Sequence, residues 1–213
     1  MSKPLPRNSG RRGVLAFMFA ITLAALVVLA GWVWQHRRHA HRAPAPAVYA
    51  EPGWMPANKS DRWKCIVIHH SAGEVGGAVS FDLAHRKRGW EGLGYHFVIG
   101  NGSETGDGQV EIGFRWNLQK QGAHCKTDDH FYNDHGIGIC LVGNFDNHEP
   151  SQQQMDSLAR LVRFLCREFD IPPSHIYTHG GVTGKTACPG KLFDLAAFKR
   201  ALGIDEQLPQ AGS

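Results

Sequence analysis

Short apolar runs recur along residues 63–202, and stretches with helical spacing separate them. The runs are rich in β-branched residues and bounded by turn signals, which is typical of buried strands. A turn-rich segment, NGSETGDG, follows one run and predicts a hairpin whose return strand is QVEIGFRW. The other predicted strands cover residues 64–70, 94–100, 137–143 and 175–179, and we expect 137–143 to lie in the middle of the sheet.

Three further stretches predict helices. Residues 79–88 suit a short helix with Phe81, Leu83 and Ala84 apolar, and Gly89 ends it. A second helix begins at Pro150-Ser151 and has apolar residues at 3-and-4 spacing, which indicates packing on a sheet, and residues 191–202 form a closing helix. Because strands alternate with helices, the fold class is α/β, a single domain with a central mixed β-sheet flanked by helices.

An uncharged run of 22 residues, GVLAFMFAITLAALVVLAGWVW, covers residues 13–34. As a helix it spans about 33 Å, enough to cross a bilayer core of about 30 Å. Trp32 and Trp34 lie at one end, where interfacial aromatic residues are common. We therefore predict one N-terminal transmembrane helix. Two alternatives stay open: a cleaved signal peptide, whose apolar region is usually about 7–15 residues, and a twin-arginine export signal at Arg11-Arg12.

The patterns divide the chain into five segments. Alternating Pro and Ala after the apolar run favour an extended, semi-rigid linker. The predicted segments are a cytoplasmic basic segment (1–12), the transmembrane anchor (13–34), the linker (35–58), the folded domain (59–205) and a tail (206–213).

Charge is distributed unevenly between the leader and the rest of the chain. Residues 1–50 hold seven Lys and Arg and no Asp or Glu, as expected beside a membrane. Residues 51–213 hold the other 16 Lys and Arg together with all 19 Asp and Glu, which gives this part a net charge of −3. The folded part therefore lacks the basic surface of a nucleic-acid-binding protein, and we expect no nucleic-acid partner.

Five cysteines, an odd number, are present without a CxxC motif. Cys65, Cys140 and Cys166 fall in apolar runs, where cysteine usually acts as a small buried hydrophobic residue. If the domain is exported, two alternatives remain: a disulfide between Cys65 and Cys140, or one that contains Cys125. Sequence alone does not fix the connectivity.

Two histidines and one cysteine fall where a metal site needs them. His69 and His179 end two predicted strands, and Cys188 follows the second strand in a loop whose glycines permit a return to the same edge. A catalytic zinc ion commonly takes three protein ligands of these types and leaves one position for water. His70 is the alternative to His69, but neighbouring strand side chains point to opposite faces, so only one of the pair faces the site.

Five blocks carry a resemblance to a known family. IVIHHSAG (66–73), RGWEGLGYHFVIG (88–100), GAHC (122–125), YNDHGIGICLVGNFD (132–146) and HGGVTGKTACPG (179–190) occur in the order of the zinc-dependent N-acetylmuramoyl-L-alanine amidases of type 2. Phage T7 lysozyme and the peptidoglycan recognition proteins belong to this family. The blocks cover roughly residues 63–200, and the resemblance implies hydrolysis of an amide bond in the bacterial cell wall.

The resemblance also implies roles for individual residues. His69, His179 and Cys188 match the family's three zinc ligands, so Zn²⁺ is the expected cofactor. Tyr95 matches a catalytic tyrosine beside the attacking water. The residues that match the substrate cleft are His124 and Asn133.

Two departures from the family pattern concern the loop that follows His179. The family often has an acidic residue two positions after this histidine, where this chain has Gly181. The step from His179 to Cys188 is also one residue longer than in those relatives. Either Thr186 or Lys185 can therefore face the scissile carbonyl and donate a hydrogen bond to the oxyanion that forms from it, and we favour Thr186.

The predicted function is zinc-dependent hydrolysis of the amide bond between N-acetylmuramic acid and L-alanine in peptidoglycan. The alternative is a recognition module that binds peptidoglycan without cleaving it. Because peptidoglycan lies outside the cytoplasmic membrane, we expect a single-pass membrane protein with its catalytic domain in the periplasm or at the cell surface. The expected partners are peptidoglycan and, through the N-terminal helix, the membrane, and we expect a monomer.

Overall fold

A computed structural model describes residues 53–204. Five strands form one mixed sheet in the order β3-β2-β4-β1-β5. β1 pairs in parallel with β4 and β5, β2 pairs in parallel with β4, and β3 alone runs antiparallel to its neighbour β2. The strands are β1 (Cys65–His70), β2 (Phe97–Ile99), β3 (Val110–Ile112), β4 (Gly136–Leu141) and β5 (Ile176–Thr178). The predicted mixed sheet, with 137–143 near its middle, is confirmed.

Helices flank this sheet. The longest, α4, begins after Ser151, whose side chain accepts a hydrogen bond from the backbone N–H of Gln154, as a helix N-cap should. The helices are α1 (Ala78–Lys87), α2 (Phe114–Asn117), α3 (Phe131–Asp134), α4 (Gln152–Glu168), α5 (His179–Thr183) and α6 (Leu195–Leu202), and a 3₁₀ turn covers Pro173–His175.

The main core lies between the sheet and α4. Every residue of β1 and β4 is buried, which is the pattern of central parallel strands covered on both faces. Trp54 also belongs to this core: it is 1% exposed, and its carbonyl accepts a 2.8 Å hydrogen bond from the indole N–H of Trp116. Since Trp54 lies in the predicted linker 35–58, the folded part begins before the predicted boundary at residue 59.

Three local predictions are wrong in detail. The predicted return strand ends at Ile112, and the FRW segment turns into α2, because the helical turn brings Trp116 into the core and lets Arg115 donate to the carbonyls of Leu93 and Gln121. Residues after His179 form the short helix α5 rather than a plain loop. The closing helix begins at Leu195 instead of residue 191, where Asp194 accepts a hydrogen bond from the N–H of Ala197.

Two further predictions concern cysteines and the membrane. All five cysteines are free thiols and all are buried, so the disulfides left open by the sequence do not form. Between residues 53 and 204, no helix combines the length and the apolar character that a membrane span needs. The span predicted at 13–34 lies outside the described residues.

Candidate metal centre and cleft

The structure brings His69, His179 and Cys188 together. Their ligand atoms all lie within 4.8 Å of one another, and the Nδ1 atom of His69 is 3.8 Å from the Sγ atom of Cys188. This is close to the separation that a single zinc ion bridges with bonds of about 2.0–2.3 Å. His179 follows His69 by 110 positions and Cys188 follows His179 by 9, so the fold itself assembles the group.

Parallel pairing of β1 with β5 places the two histidines side by side. Ile68 pairs with Thr178, so His69 and His179 follow at neighbouring positions at the carboxyl edge of the sheet. Ligands commonly bind at this edge in α/β folds. Thr178 also caps α5 by accepting a 3.0 Å hydrogen bond from the N–H of Gly181, which turns the chain away directly after the strand.

Backbone hydrogen bonds return Cys188 to the same edge. The N–H of Gly180 donates to the carbonyl of Cys188 at 2.7 Å, and the N–H of Cys188 donates to Oγ1 of Thr186 at 3.1 Å. The Sγ atom in turn accepts a 3.4 Å hydrogen bond from the backbone N–H of His70. The thiol is therefore fixed against the end of β1.

His69 and His70 lie on opposite sides of β1, as strand alternation requires. The Nδ1 atom of His70 accepts a 3.2 Å hydrogen bond from the N–H of Phe145, and the two rings are 5.9 Å apart between centroids. Only His69 joins the group with His179 and Cys188.

A further buried histidine, His124, contacts the group through His69. Its Nδ1 atom is 3.0 Å from Nε2 of His69, and its own Nε2 atom is 3.2 Å from the carbonyl oxygen of Gly136. His124 is 8% exposed, so both of its nitrogens are engaged inside the protein. The sequence predicted a residue of the substrate cleft at this position, and the contact with His69 had no signal in the sequence.

Burial sets the protonation states of the group without metal. It lowers the pKa of His69 well below the usual range, with the nearby His124 and His179 adding to the effect, and it also lowers the pKa of His179. Burial likewise lowers the pKa of His124 to about 4 and raises the pKa of the Cys188 thiol to about 11. The histidines are therefore neutral and ready to bind metal at pH 7, whereas the thiol loses its proton when a cation binds.

Tyr95 borders a recess of about 270 Å³ that opens onto the three candidate ligands. Its ring centroid is 5.2 Å from that of His69. Burial raises the pKa of Tyr95 well above 10, so its phenol keeps a proton that it can donate. His85, Arg88 and Trp90 complete the outer wall of the recess, and the sequence did not assign these three to the site.

An adjoining cleft of about 540 Å³ shares Trp90, His124, His179 and Thr186 with the recess. Thr186 and Lys185 both border this cleft and are exposed, so either side chain can reach a bound molecule.

Asn133 also borders the cleft, but its Oδ1 atom accepts hydrogen bonds from the backbone N–H groups of His124 and Cys125 at 2.8 and 2.9 Å. Its carbonyl therefore holds the GAHC segment in place, and its amide nitrogen is the part that remains for a ligand.

The charged side chains that line the cleft are positive. Lys126 and Lys185 line it together with His130, and no Asp or Glu of residues 53–204 is among its lining residues. A cleft of this size and charge fits an extended ligand that carries carboxylates.

Comparisons with known proteins identify the family. Residues 59–191 match the family Amidase_2, described as N-acetylmuramoyl-L-alanine amidase. The chain is 29% identical over 153 residues to peptidoglycan-recognition protein LB of Drosophila melanogaster, with 71% of this chain and 58% of that protein covered. It is 38% identical over 118 residues to the endolysin of Enterobacteria phage T3, with 52% of this chain and 66% of that protein covered. The chain thus spans between half and two thirds of the length of these curated relatives.

A solved structure is similar over the same region. The N-acetylmuramoyl-L-alanine amidase LysC from Clostridium intestinale URNW superimposes with a TM-score of 0.58 at 30% identity, with 71% of this chain and 94% of that chain covered. The order of the sequence blocks, the sheet and these matches agree. The chain therefore belongs to the Amidase_2 family of N-acetylmuramoyl-L-alanine amidases.

Proposed function

We propose that this protein hydrolyses the amide bond between N-acetylmuramic acid and L-alanine in peptidoglycan, with a zinc ion held by His69, His179 and Cys188. The observation that carries the proposal is the convergence of these three side chains at the floor of an open recess. Two imidazoles and one thiolate suit zinc, and three protein ligands are typical of catalytic sites, whereas closed structural sites usually have four. When bound there, zinc would supply a Lewis acid for the carbonyl and lower the pKa of a water molecule.

Tyr95 and Thr186 supply hydrogen bonds to the reacting amide in this proposal. Tyr95 keeps its phenolic proton and borders the same recess as the metal ligands. The hydroxyl oxygen of Thr186 accepts from the N–H of Cys188, which leaves its O–H free to donate to the carbonyl oxygen as negative charge develops. One such donor contributes about 3 kcal/mol to transition-state stabilisation. Lys185 is the alternative donor and adds positive charge at the same wall.

The positive cleft is the proposed binding region for the stem peptide. A peptide stem carries free carboxylates, and Lys126, His130 and Lys185 offer cationic or hydrogen-bonding groups along the cleft. Placing the muramic acid and the peptide on opposite sides of the metal group brings the connecting amide to the recess.

The location of the protein is a further part of the proposal. The uncharged run at 13–34 lies outside the described residues, and its length and flanking charges favour a membrane anchor. With a peptidoglycan substrate, we propose that the catalytic domain faces the periplasm or the cell surface.

Digestion of purified peptidoglycan by the full-length chain tests the proposed activity. We expect zinc-dependent release of peptides with a free N-terminal L-alanine, loss of release after chelation, and recovery when zinc is returned. Binding to peptidoglycan with no release under any metal condition would replace the proposal with the recognition function that some family members have.

A further inference from the structure

A buried chain of hydrogen bonds ends on the candidate ligand His69. The carbonyl of Gly136 can only accept a hydrogen bond, so the Nε2 atom of His124, 3.2 Å away, must carry a proton. A neutral imidazole protonated at Nε2 has an acceptor at Nδ1. That acceptor is 3.0 Å from Nε2 of His69, so His69 donates its own Nε2–H. The Nδ1 atom of His69 is then left with its lone pair, on the side where Cys188 Sγ lies 3.8 Å away.

We propose that His124 is a positioning residue that holds His69 in the Nε2–H form with Nδ1 presented to the metal. The metal part of this inference rests on the proposed function, but the hydrogen-bond chain exists in the metal-free protein. Protein histidines that bind metals usually donate their second ring N–H to an acceptor, which fixes the tautomer and the ring orientation. Here an imidazole, backed by a main-chain carbonyl, takes the place of the more common carboxylate.

The surroundings of His124 are built to hold its ring in this place. A Cβ atom at Gly138 on β4 would lie 2.4 Å from Cδ2 of His124, and one at Gly122 would lie 2.3 Å from the same atom. Both positions must therefore be glycine for the ring to fit. Asn133 fixes the main chain by accepting the N–H of His124. Ring, main chain and both ring nitrogens of His124 are thus all constrained.

Gly181 marks a difference between the two ligand histidines. This position, two residues after His179, lacks the acidic side chain that the family pattern often places there. A glycine offers no side-chain acceptor for a ligand histidine. His124 provides an acceptor at the other ligand histidine, His69.

Nitrogen-15 NMR of the metal-free full-length chain tests the proposal directly. At pH 7.5 we expect His69 to show a protonated Nε2 and an unprotonated Nδ1, and His124 to show the same pattern. The reverse assignment for His69, with the proton at Nδ1, would overturn the proposal. Because no metal is present, this result stands whether or not the protein proves to be a zinc amidase.

Three variants connect the tautomer to metal binding. His124→Leu removes the acceptor, and His124→Asn keeps an oxygen near the position of Nδ1. Gly138→Ala displaces the His124 ring without substituting any histidine. We expect the zinc dissociation constant, measured against a competing chelator, to rise about 10–100-fold in His124→Leu and Gly138→Ala. His124→Asn should recover most of the affinity.

Gly73→Ala is the matched control, since a Cβ atom there meets nothing within 4 Å. It should bind zinc as the wild type does. Two results would contradict the positioning role. One is a Gly138→Ala variant that binds zinc with wild-type affinity. The other is an equal loss of zinc affinity in His124→Leu and His124→Asn when their thermal stabilities match. A wild type with the predicted tautomer but no amidase activity would reject the proposed function and leave the role of His124 standing.

Discussion

Gly180 is a point of close approach between the loop carrying Cys188 and the helix carrying His179. The N–H of Gly180 donates to the carbonyl of Cys188 at 2.7 Å. A Cβ atom at this position would lie 2.4 Å from the carbonyl oxygen of Thr186 and 3.0 Å from that of Cys188. Both neighbours are backbone atoms, so the overlap cannot be relieved by rotating a side chain.

The size of the effect of Gly180→Ala follows from these distances. Non-bonded heavy atoms prefer separations of about 3.5 Å or more, so the loop must retreat by about 1 Å. Ligand distances in a working metal site tolerate only about 0.2 Å. We therefore expect the zinc dissociation constant to rise at least tenfold, or about 1.4 kcal/mol. The same substitution favours α5 by about 1 kcal/mol through helix propensity, so the metal-free protein should stay folded.

Chelator competition measures the zinc dissociation constant, and thermal unfolding of the metal-free protein measures whether the fold is retained. Gly73→Ala serves again as the control, because its new methyl group meets no atom within 4 Å. If Gly180→Ala binds zinc with unchanged affinity, the close approach of the two segments does not hold the ligand geometry and the reasoning is refuted.

Three further predictions concern stability. Burial holds the pKa of His96 well below its usual value. Because the pKa is lowered in the folded protein, the stability that this histidine contributes is present above the unfolded pKa of about 6.5 and is lost as the pH falls. The metal-free protein should lose about 1 kcal/mol for this histidine between pH 7 and 5.5, and His96→Gln should flatten the urea-unfolding profile by that amount; an unchanged slope would contradict it. Ser151→Ala, which removes the cap of α4, should cost about 1 kcal/mol of unfolding free energy without altering zinc affinity, whereas no loss would show that the cap is dispensable. Trp54→Ala should cost about 3–5 kcal/mol in the same assay, and a loss below about 1 kcal/mol would mean that residues before 59 are not part of the folded domain.

Hydrophobic patterning was sufficient to predict most of the sheet. The runs at 64–70 and 137–143 contain the buried strands Cys65–His70 and Gly136–Leu141, each with a central apolar stretch, and the amphipathic spacing after Ser151 gives α4. The pattern failed at residues 114–117, where a β-like composition forms a helix. Long-range contacts decide that segment, since Trp116 packs against the core and donates to Trp54, 62 positions away.

The candidate site, like the fold, could be predicted from the sequence only in part. Strand alternation showed that only one of His69 and His70 faces the site, and the family resemblance favoured His69; the structure groups His69 with His179 and Cys188. The partner of His69 could not be read from the sequence, because His124 reaches it only after β1 and β4 pair in register and two distant glycines leave room for its ring. Local patterns report which face a residue occupies, but not which residue lies across from it.

Zinc content and amidase activity, measured together on wild type, Cys188→Ala and Cys166→Ala, test the central claim most directly. Cys166 is also a buried thiol, lies on α4 and is not part of the metal group, so it controls for loss of a cysteine from the interior. We predict one zinc ion per chain with activity in the wild type and in Cys166→Ala, and loss of both in Cys188→Ala. Retention of metal and activity by Cys188→Ala would contradict the account.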